Sequence, residues 1–168
     1  GKGTEHERMI FKQKAGCNFF VTQVVFSAEL TKNLLSDYMM ACREQNLPVC
    51  PVILTFAPIG SMKTFEFMKW LGVEPSRWLE NDLKLALQDA KSEIEKAEKE
   101  GNTEKIPASP TVAINNAILD ESIDAIIRIL QHIAHWAKSK NFPIGVNIES
   151  VAIRKAEIDA AAKLVTTC

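Results

Sequence analysis

The sequence lacks charge imbalance, long apolar runs and the usual phosphate or nucleophile motifs. Its net charge over 168 residues is −1, which gives no electrostatic reason to expect nucleic acid or an anionic membrane as a partner. No apolar run approaches the roughly 20 residues that a membrane-spanning helix needs. Glycine-rich phosphate loops, nucleophile elbows and metalloprotease motifs are missing as well. The enzyme classes that depend on these three motifs are therefore excluded. The length predicts one globular domain or two at most.

Cysteine is sparse, and its spacing fits no metal-binding motif. The four cysteines are Cys17, Cys42, Cys50 and Cys168. All but the last lie in or beside apolar segments, so we interpret them as buried thiols in a reduced compartment and expect a cytoplasmic protein. His132 and His135 lie three residues apart on a predicted helix but have no obvious third ligand. No metal site is therefore expected.

Strands and helices alternate along the chain. The predicted strands are Phe19–Phe26, Val49–Phe56 and Ile144–Ile148. The predicted helices run from a capping box at Thr4 to about Ala15, then over about Glu29–Gln45, Lys63–Leu71, Arg77–Glu100, Glu121–Ser139 and Val151–Val165. The three tryptophans, Trp70, Trp78 and Trp136, are interpreted as packing anchors. Alternation of this kind predicts an α/β fold with parallel strands.

The first predicted strand contains one uncharged amide, Gln23, with Thr22 beside it. A strand buried on both faces of a parallel sheet is expected to be apolar throughout. An amide left in such a strand costs about 2–7 kcal/mol unless it is hydrogen-bonded. Gln23 is therefore expected to bond either the end of a neighbouring strand or a ligand.

The edges of the predicted sheet are open. Three parallel strands leave two apolar edges exposed, which favours pairing with further strands. The chain is therefore expected to complete a larger sheet or to pair with another chain. The start, Gly1-Lys2-Gly3, is not typical of a native N-terminus and favours a piece of a longer polypeptide.

Three segments resemble the methylenetetrahydrofolate reductase family. They are KQKAGCNFFVTQVVF (12–26), PVILTFAPIGSMKTFEFMKWLGV (51–73) and PIGVNIESVAIRKAEIDAA (143–161). The resemblance implies that residues 1–168 are the C-terminal portion of a (β/α)8 TIM barrel, with an inserted helix and loop at about 77–118. The preceding strands, and the acidic residue that takes part in catalysis, would lie outside this chain.

The resemblance also implies a reaction, the reduction of 5,10-methylenetetrahydrofolate to 5-methyltetrahydrofolate. Hydride would come from NADH or NADPH, usually through bound FAD. Activity would need the complete barrel, so the 168-residue chain alone is expected to be inactive. The implied partners are the folate and the remainder of the barrel, on the same polypeptide or on a partner chain, and a homo-oligomer is expected.

Two residues match substrate-binding positions of the resembled family. Gln23 matches a glutamine that bonds the pterin ring, and a primary amide offers the donors and the acceptor that a lactam edge requires. Met62 stands where the family usually has Phe or Tyr packing on the folate. Met62 would keep the apolar contact without ring stacking.

Asn147 and Glu149 are two further candidates for substrate binding. They alternate with apolar residues and therefore share one face of the third strand, which in a barrel is the interior or its mouth. A carboxylate there could bond a pteridine amino group or transfer a proton. The alternative for Glu149 is a solvated carboxylate or an ion pair with Arg154 or Lys155.

Three residues near the start match cofactor-binding positions by resemblance. Lys12 matches a lysine beside the phosphate or ribitol of the flavin, where a cation balances charge. Arg8 and Glu5 stand where the family often has a flavin-binding Asn and a nearby Asp. These departures, together with Met62 and Glu149, motivate a second hypothesis, a non-catalytic folate-binding or assembly subunit that docks on a partner chain supplying the missing strands.

Overall fold

Helices and strands alternate in the computed structural model, which describes residues 4–102, 104–152 and 154–167. The helices are α1 (Glu5–Lys14), α2 (Ala28–Glu44), α3 (Met62–Trp70), α4 (Arg77–Lys99), α5 (Pro110–Lys140) and α6 (Lys155–Thr167). The strands are β1 (Phe20–Val24), β2 (Val52–Phe56) and β3 (Ile144–Ile148). None of the helices within the described ranges is long and apolar enough to span a membrane.

The strands form a three-stranded sheet in the order β1-β2-β3. β1 pairs with β2 in parallel, and the three parallel strands alternate with helices. The predicted α/β class is therefore confirmed. Each strand is shorter than or equal to its predicted span, because the flanking apolar residues lie in the connections rather than in the ladder.

Two compact units can be separated, and each has its own buried residues. The first unit comprises Gly1–Phe56 with Arg128–Asn147, and the second comprises Ala57–Ile127 with Ile148–Cys168. The largest fully buried side chains of the first unit are Leu35, Tyr38, Leu54, Phe56 and Ile133. Those of the second unit are Ile59, Phe65, Met68, Leu79, Leu83, Ile118 and Ile126.

Helix α1 ends at a glycine, as the sequence predicts. Gly16 has a φ of 106°, a left-handed conformation that favours glycine. The N–H of Cys17 donates to the Lys12 carbonyl at 3.0 Å, and the N–H of Gly16 donates to the Gln13 carbonyl at 2.9 Å. At the other end the predicted capping box is wrong, because Thr4 occupies the N-cap position without a side-chain capping bond.

Two helix starts differ from their predicted positions. Helix α5 begins at Pro110 rather than Glu121, and proline is favourable in the first turn because its missing N–H is not needed there. The segment between Pro110 and Glu121 therefore belongs to helix α5 and not to a loop. Helix α6 begins at Lys155 rather than Val151, and the Ser150 hydroxyl donates to the Ala152 carbonyl at 2.6 Å before the helix.

The structure corrects the interpretation of the tryptophans. The side chain of Trp70 is 78% exposed, so it anchors no core, and Trp78 is partly exposed. Trp136 does pack, because its ring lies 5.9 Å from the ring of Phe142. An exposed Trp70 follows from its place at the end of α3, whose buried face is formed by Phe65 and Met68, five and two residues earlier.

The cysteine interpretation holds for two of the four residues. Cys42 and Cys50 are buried, as predicted. Cys17 is exposed, because it follows the turn that ends α1 and precedes the sheet. Cys168 lies outside the described residues. In the part of the chain that the structure describes, no three His, Cys, Asp or Glu side chains are grouped as a metal site would require.

Candidate functional site

Strand β1 pairs with β2 in an irregular register. Val21 pairs with Ile53, whereas Val24 pairs with Thr55, so β1 uses one more residue than β2 over the same stretch. This is a β-bulge, a feature that re-aims side chains and is frequent beside functional sites. Gln23 lies within it.

The hydroxyl of Thr22 occupies the gap that the bulge leaves in the ladder. The backbone N–H of Thr55 donates to Thr22 Oγ1 at 3.1 Å. The backbone pairing resumes one residue later, where the N–H of Val25 donates to the Thr55 carbonyl at 2.8 Å. Because Thr55 is only 3% exposed, this side-chain acceptor replaces a partner that water could not supply.

Gln23 itself is exposed. Its amide has no hydrogen-bond partner among residues 4–102, 104–152 and 154–167, so the alternative of a bond to a neighbouring strand end is not found there. The expectation that this strand is buried on both faces is wrong for this chain, because Val21 is 55% exposed. The role of Gln23 in ligand binding stays a prediction.

Asn147 lies on the same face of the sheet as Thr55. Its Nδ2 donates to Thr55 Oγ1 at 3.3 Å. The register agrees, because a Cβ added at Gly145 would meet Ile53 Cγ1 at 3.4 Å, and Asn147 and Thr55 each lie two residues further along their strands. Asn147 is half-buried, which leaves part of its amide accessible.

Three polar side chains therefore stand at equivalent places near the carboxyl ends of the strands. Gln23, Thr55 and Asn147 are each the fourth residue of a five-residue strand. The carboxyl ends of parallel strands are where α/β proteins place their ligands. The sequence singles out Gln23 and Asn147, and the structure adds Thr22 and Thr55 through their contacts.

Met62 and Glu149 belong to the second unit. Met62 is the half-buried first residue of α3, directly after Ser61, whose Oγ accepts the N–H of Thr64. Glu149 is exposed directly after β3. Its alternative ion pairs are not present among the described residues, since Lys155 bonds Asp159 at 2.7 Å, and this bond raises the pKa of the Lys155 ammonium.

Glu157 is a buried acid that the sequence analysis does not single out. It is 1% exposed and lies directly against Gly60, in the loop between β2 and α3. The Thr64 hydroxyl donates to Glu157 Oε1 at 3.5 Å, and Oε2 has no partner among the described residues. The spacing of Glu157 from buried Ala160, Ala161 and Leu164 is helical, and this pattern could have indicated its burial.

The three predicted cofactor-binding residues lie along α1. Arg8 Nη1 forms an ion pair with Glu5 Oε2 at 3.2 Å, so that guanidinium is already engaged by an acid. Lys12 is exposed and has no ion pair within the described parts of the chain. The contact of Lys12, Arg8 and Glu5 with a flavin stays a prediction.

A second amide, Gln13, carries the polar network of the first unit. Its Oε1 accepts the Tyr38 hydroxyl, and its Nε2 donates to the Pro48 carbonyl at 2.7 Å. The sequence analysis does not identify Gln13, because its place on α1 gives no sign that its amide meets buried groups. Burial raises the pKa of the Tyr38 phenol, and burial also raises the pKa of the Cys42 thiol.

Comparison with known proteins gives a match among solved structures. No protein family and no curated protein matches the chain. The chain is similar to the solved structure of an uncharacterized protein from Clostridium thermocellum, with 37% identical residues and a TM-score of 0.73. That protein binds two copies of 5-methyl-5,6,7,8-tetrahydrofolic acid.

The match covers 99% of this chain and 48% of that chain. The chain therefore spans about half the length of its relative. The comparisons assign no family to it, so the resemblance to methylenetetrahydrofolate reductase stays a prediction. Residues 77–118 contain α4 and the start of α5. That this segment is an insertion into the fold also stays a prediction.

Proposed function

We propose that this chain forms part of a binding site for a reduced folate and that Gln23 bonds the pterin ring. The carrying observation is an exposed, unbonded amide in a strand bulge, in a chain 37% identical to a protein that binds 5-methyltetrahydrofolate. Asn147 would contribute from the third strand. Met62 and Glu149 belong to the second unit, and their contact with a folate stays a prediction from the sequence.

The chemistry of the two amides suits this ligand. A pterin presents an acceptor and several N–H donors along one edge, and a primary amide can meet both kinds of group. The Gln23 side chain is accessible, and within the described residues it makes no hydrogen bond that a ligand would have to replace. A site built to hydrogen-bond a polar ring also rejects apolar rings of the same size, because its polar groups would then be left unpaired.

The direct test measures 5-methyltetrahydrofolate binding by titration calorimetry with the full-length protein. Gln23→Leu should weaken binding by about 10- to 100-fold, the effect of losing one or two buried ligand hydrogen bonds. It should leave thermal unfolding unchanged, because the side chain is exposed. Gln88→Leu, at an exposed position of α4, is the matched control. Equal affinity of the Gln23 variant and the wild type would refute the proposed role.

The second candidate function is the reductase reaction itself, favoured by the three segments that resemble the reductase family. It requires the rest of a barrel, since the chain spans only about half the length of its relative. The full-length protein would then oxidise NADH or NADPH in the presence of 5,10-methylenetetrahydrofolate, and the 168-residue chain alone would not. Folate binding without turnover would instead favour the non-catalytic binding or assembly subunit.

Use of FAD is proposed only as part of this second candidate. A bound flavin would supply a hydride relay between the nicotinamide and the folate. Lys12 is an exposed cation on α1 that could face its phosphates, whereas Arg8 is paired with Glu5. The visible absorption spectrum of the full-length protein tests the point, because a bound flavin absorbs at about 450 nm.

A further inference from the structure

The bulge in β1 depends on a side chain. In a regular parallel ladder the N–H of Thr55 would donate to a backbone carbonyl of the neighbouring strand. Here that N–H is buried and donates to Thr22 Oγ1 at 3.1 Å. A buried N–H left without a partner costs about 1–3 kcal/mol, so an acceptor at position 22 offsets this cost of the irregular pairing.

The irregular pairing decides where the next side chain points. Side chains alternate between the two faces of a strand, so a shift of one residue in pairing transfers a side chain to the opposite face. Gln23 directly follows Thr22 within the bulge. Loss of the Thr22 acceptor removes the reason for the extra residue and favours a ladder in which the Gln23 amide is displaced.

We infer that Thr22 is a positioning residue that holds the Gln23 amide in its ligand-binding location, an inference that rests on the proposed function. Thr22 touches no ligand in this scheme and acts through the register of β1. The strand hydrogen bond of Thr55 is the contact through which it acts.

The same contact reaches the third strand. The Thr55 hydroxyl accepts a hydrogen bond from Asn147 Nδ2 at 3.3 Å. Thr22, Thr55 and Asn147 therefore form a continuous line of hydrogen-bonded residues across the sheet. The line includes Asn147, one of the two amides that the proposed function assigns to the ligand, and begins at the residue before Gln23. Thr22 bonds the backbone N–H of Thr55 and Asn147 bonds its hydroxyl, so the effect of Thr22 on the ligand is assigned to Gln23 alone.

A double-mutant cycle on 5-methyltetrahydrofolate affinity, in the full-length protein, tests the inference. Thr22→Val should weaken binding by about 10-fold or more. Thr22→Ser keeps the acceptor and should bind with the affinity of the wild type. In a Gln23→Leu background, Thr22→Val should change affinity by less than about twofold, because the side chain that it positions is gone. Thr31→Val is the control, since its hydroxyl donates to the Ser27 carbonyl within α2.

A second readout does not depend on the ligand. The side-chain amide signals of Gln23 in an NMR spectrum should shift in Thr22→Val and stay in place in Thr22→Ser. Independent, multiplicative effects of the two substitutions on affinity, or unmoved amide signals in Thr22→Val, would overturn the inference. Absence of folate binding by the wild type would overturn the proposed function, and the amide signals would still report whether Thr22 positions Gln23.

Discussion

The Tyr38 hydroxyl donates a hydrogen bond to Gln13 Oε1 at 2.7 Å. The same hydroxyl accepts the backbone N–H of Cys50 at 3.2 Å, and the Tyr38 side chain is fully buried. One phenol therefore joins α1, α2 and the segment before β2. Its ring also contacts Phe20 at a centroid distance of 5.7 Å, so the network lies on the helix-covered side of the sheet.

Tyr38→Phe should destabilise the protein by about 1–3 kcal/mol, because it leaves the buried Cys50 N–H and one acceptor of Gln13 unpaired. Urea unfolding near neutral pH measures the change. Thr166→Val is the matched control, since that exposed hydroxyl donates to the Lys163 carbonyl near the end of α6 and should change stability by less than about 0.5 kcal/mol. Equal stability of Tyr38→Phe and the wild type would contradict the network.

Stability should fall in alkali. Burial raises the pKa of Tyr38 above its ordinary 10.0, so the unfolded chain releases this proton at a lower pH than the folded chain does. The resulting stabilisation is fully present below the unfolded pKa and is lost as pH rises through the folded pKa. Burial of Cys42 acts in the same direction from its ordinary 9.0. Urea midpoints at about pH 8 and about pH 11 should differ less in Tyr38→Phe, and an unchanged difference would argue against this assignment.

Gly60→Ala should destabilise the second unit. An added Cβ would lie 2.5 Å from Glu157 Cγ and 2.6 Å from its Cδ, so a buried carboxylate would have to move. Overpacking of this kind costs about 1–3 kcal/mol, measurable by thermal or urea unfolding. Gly145→Ala is the control, because its Cβ would meet Ile53 Cγ1 at an ordinary 3.4 Å.

The reason for the Gly60 effect can be checked separately. Glu157→Ala removes the atoms that collide, so the cost of Gly60→Ala should shrink in that background. Additive costs in the double variant would show that Glu157 is not the obstacle.

Two aromatic residues of α3 should respond differently to truncation. Phe65 is fully buried, and Phe65→Ala should cost about 3–5 kcal/mol through lost burial and the cavity left behind. Trp70 is 78% exposed, and Trp70→Ala should change stability by less than about 0.5 kcal/mol. Unfolding by urea separates them, and a large loss in Trp70→Ala would place that ring in a contact absent from the described residues.

The sequence predicts the order of elements well because that order follows from local patterns. Apolar residues at helical spacing identify α2 and α4, and continuous apolar runs identify β1 and β2. The end of α1 follows from Gly16, whose backbone conformation is one that glycine adopts readily. The early start of α5 was missed because the branched residues from Ile123 onward give the stronger signal.

The site is only partly predictable because its geometry depends on pairing between distant segments. Gln23 and Asn147 stand out as polar residues in apolar strands, so sequence alone identifies them. The bulge does not, because the extra residue of β1 is defined only against β2. Gln13 was missed for the same reason, since its partners Tyr38 and Pro48 come from segments far away along the chain.

The extra residue of β1 also limits how this chain can change over evolutionary time. A deletion at position 22 or 23 would yield a more regular sheet, yet it would remove either the hydroxyl that completes the ladder or the amide itself. On the proposed function, ligand preference in descendants of this protein should therefore shift by exchange of side chains at a constant strand length. Shortened versions of this strand should be found in descendants that no longer bind the proposed ligand.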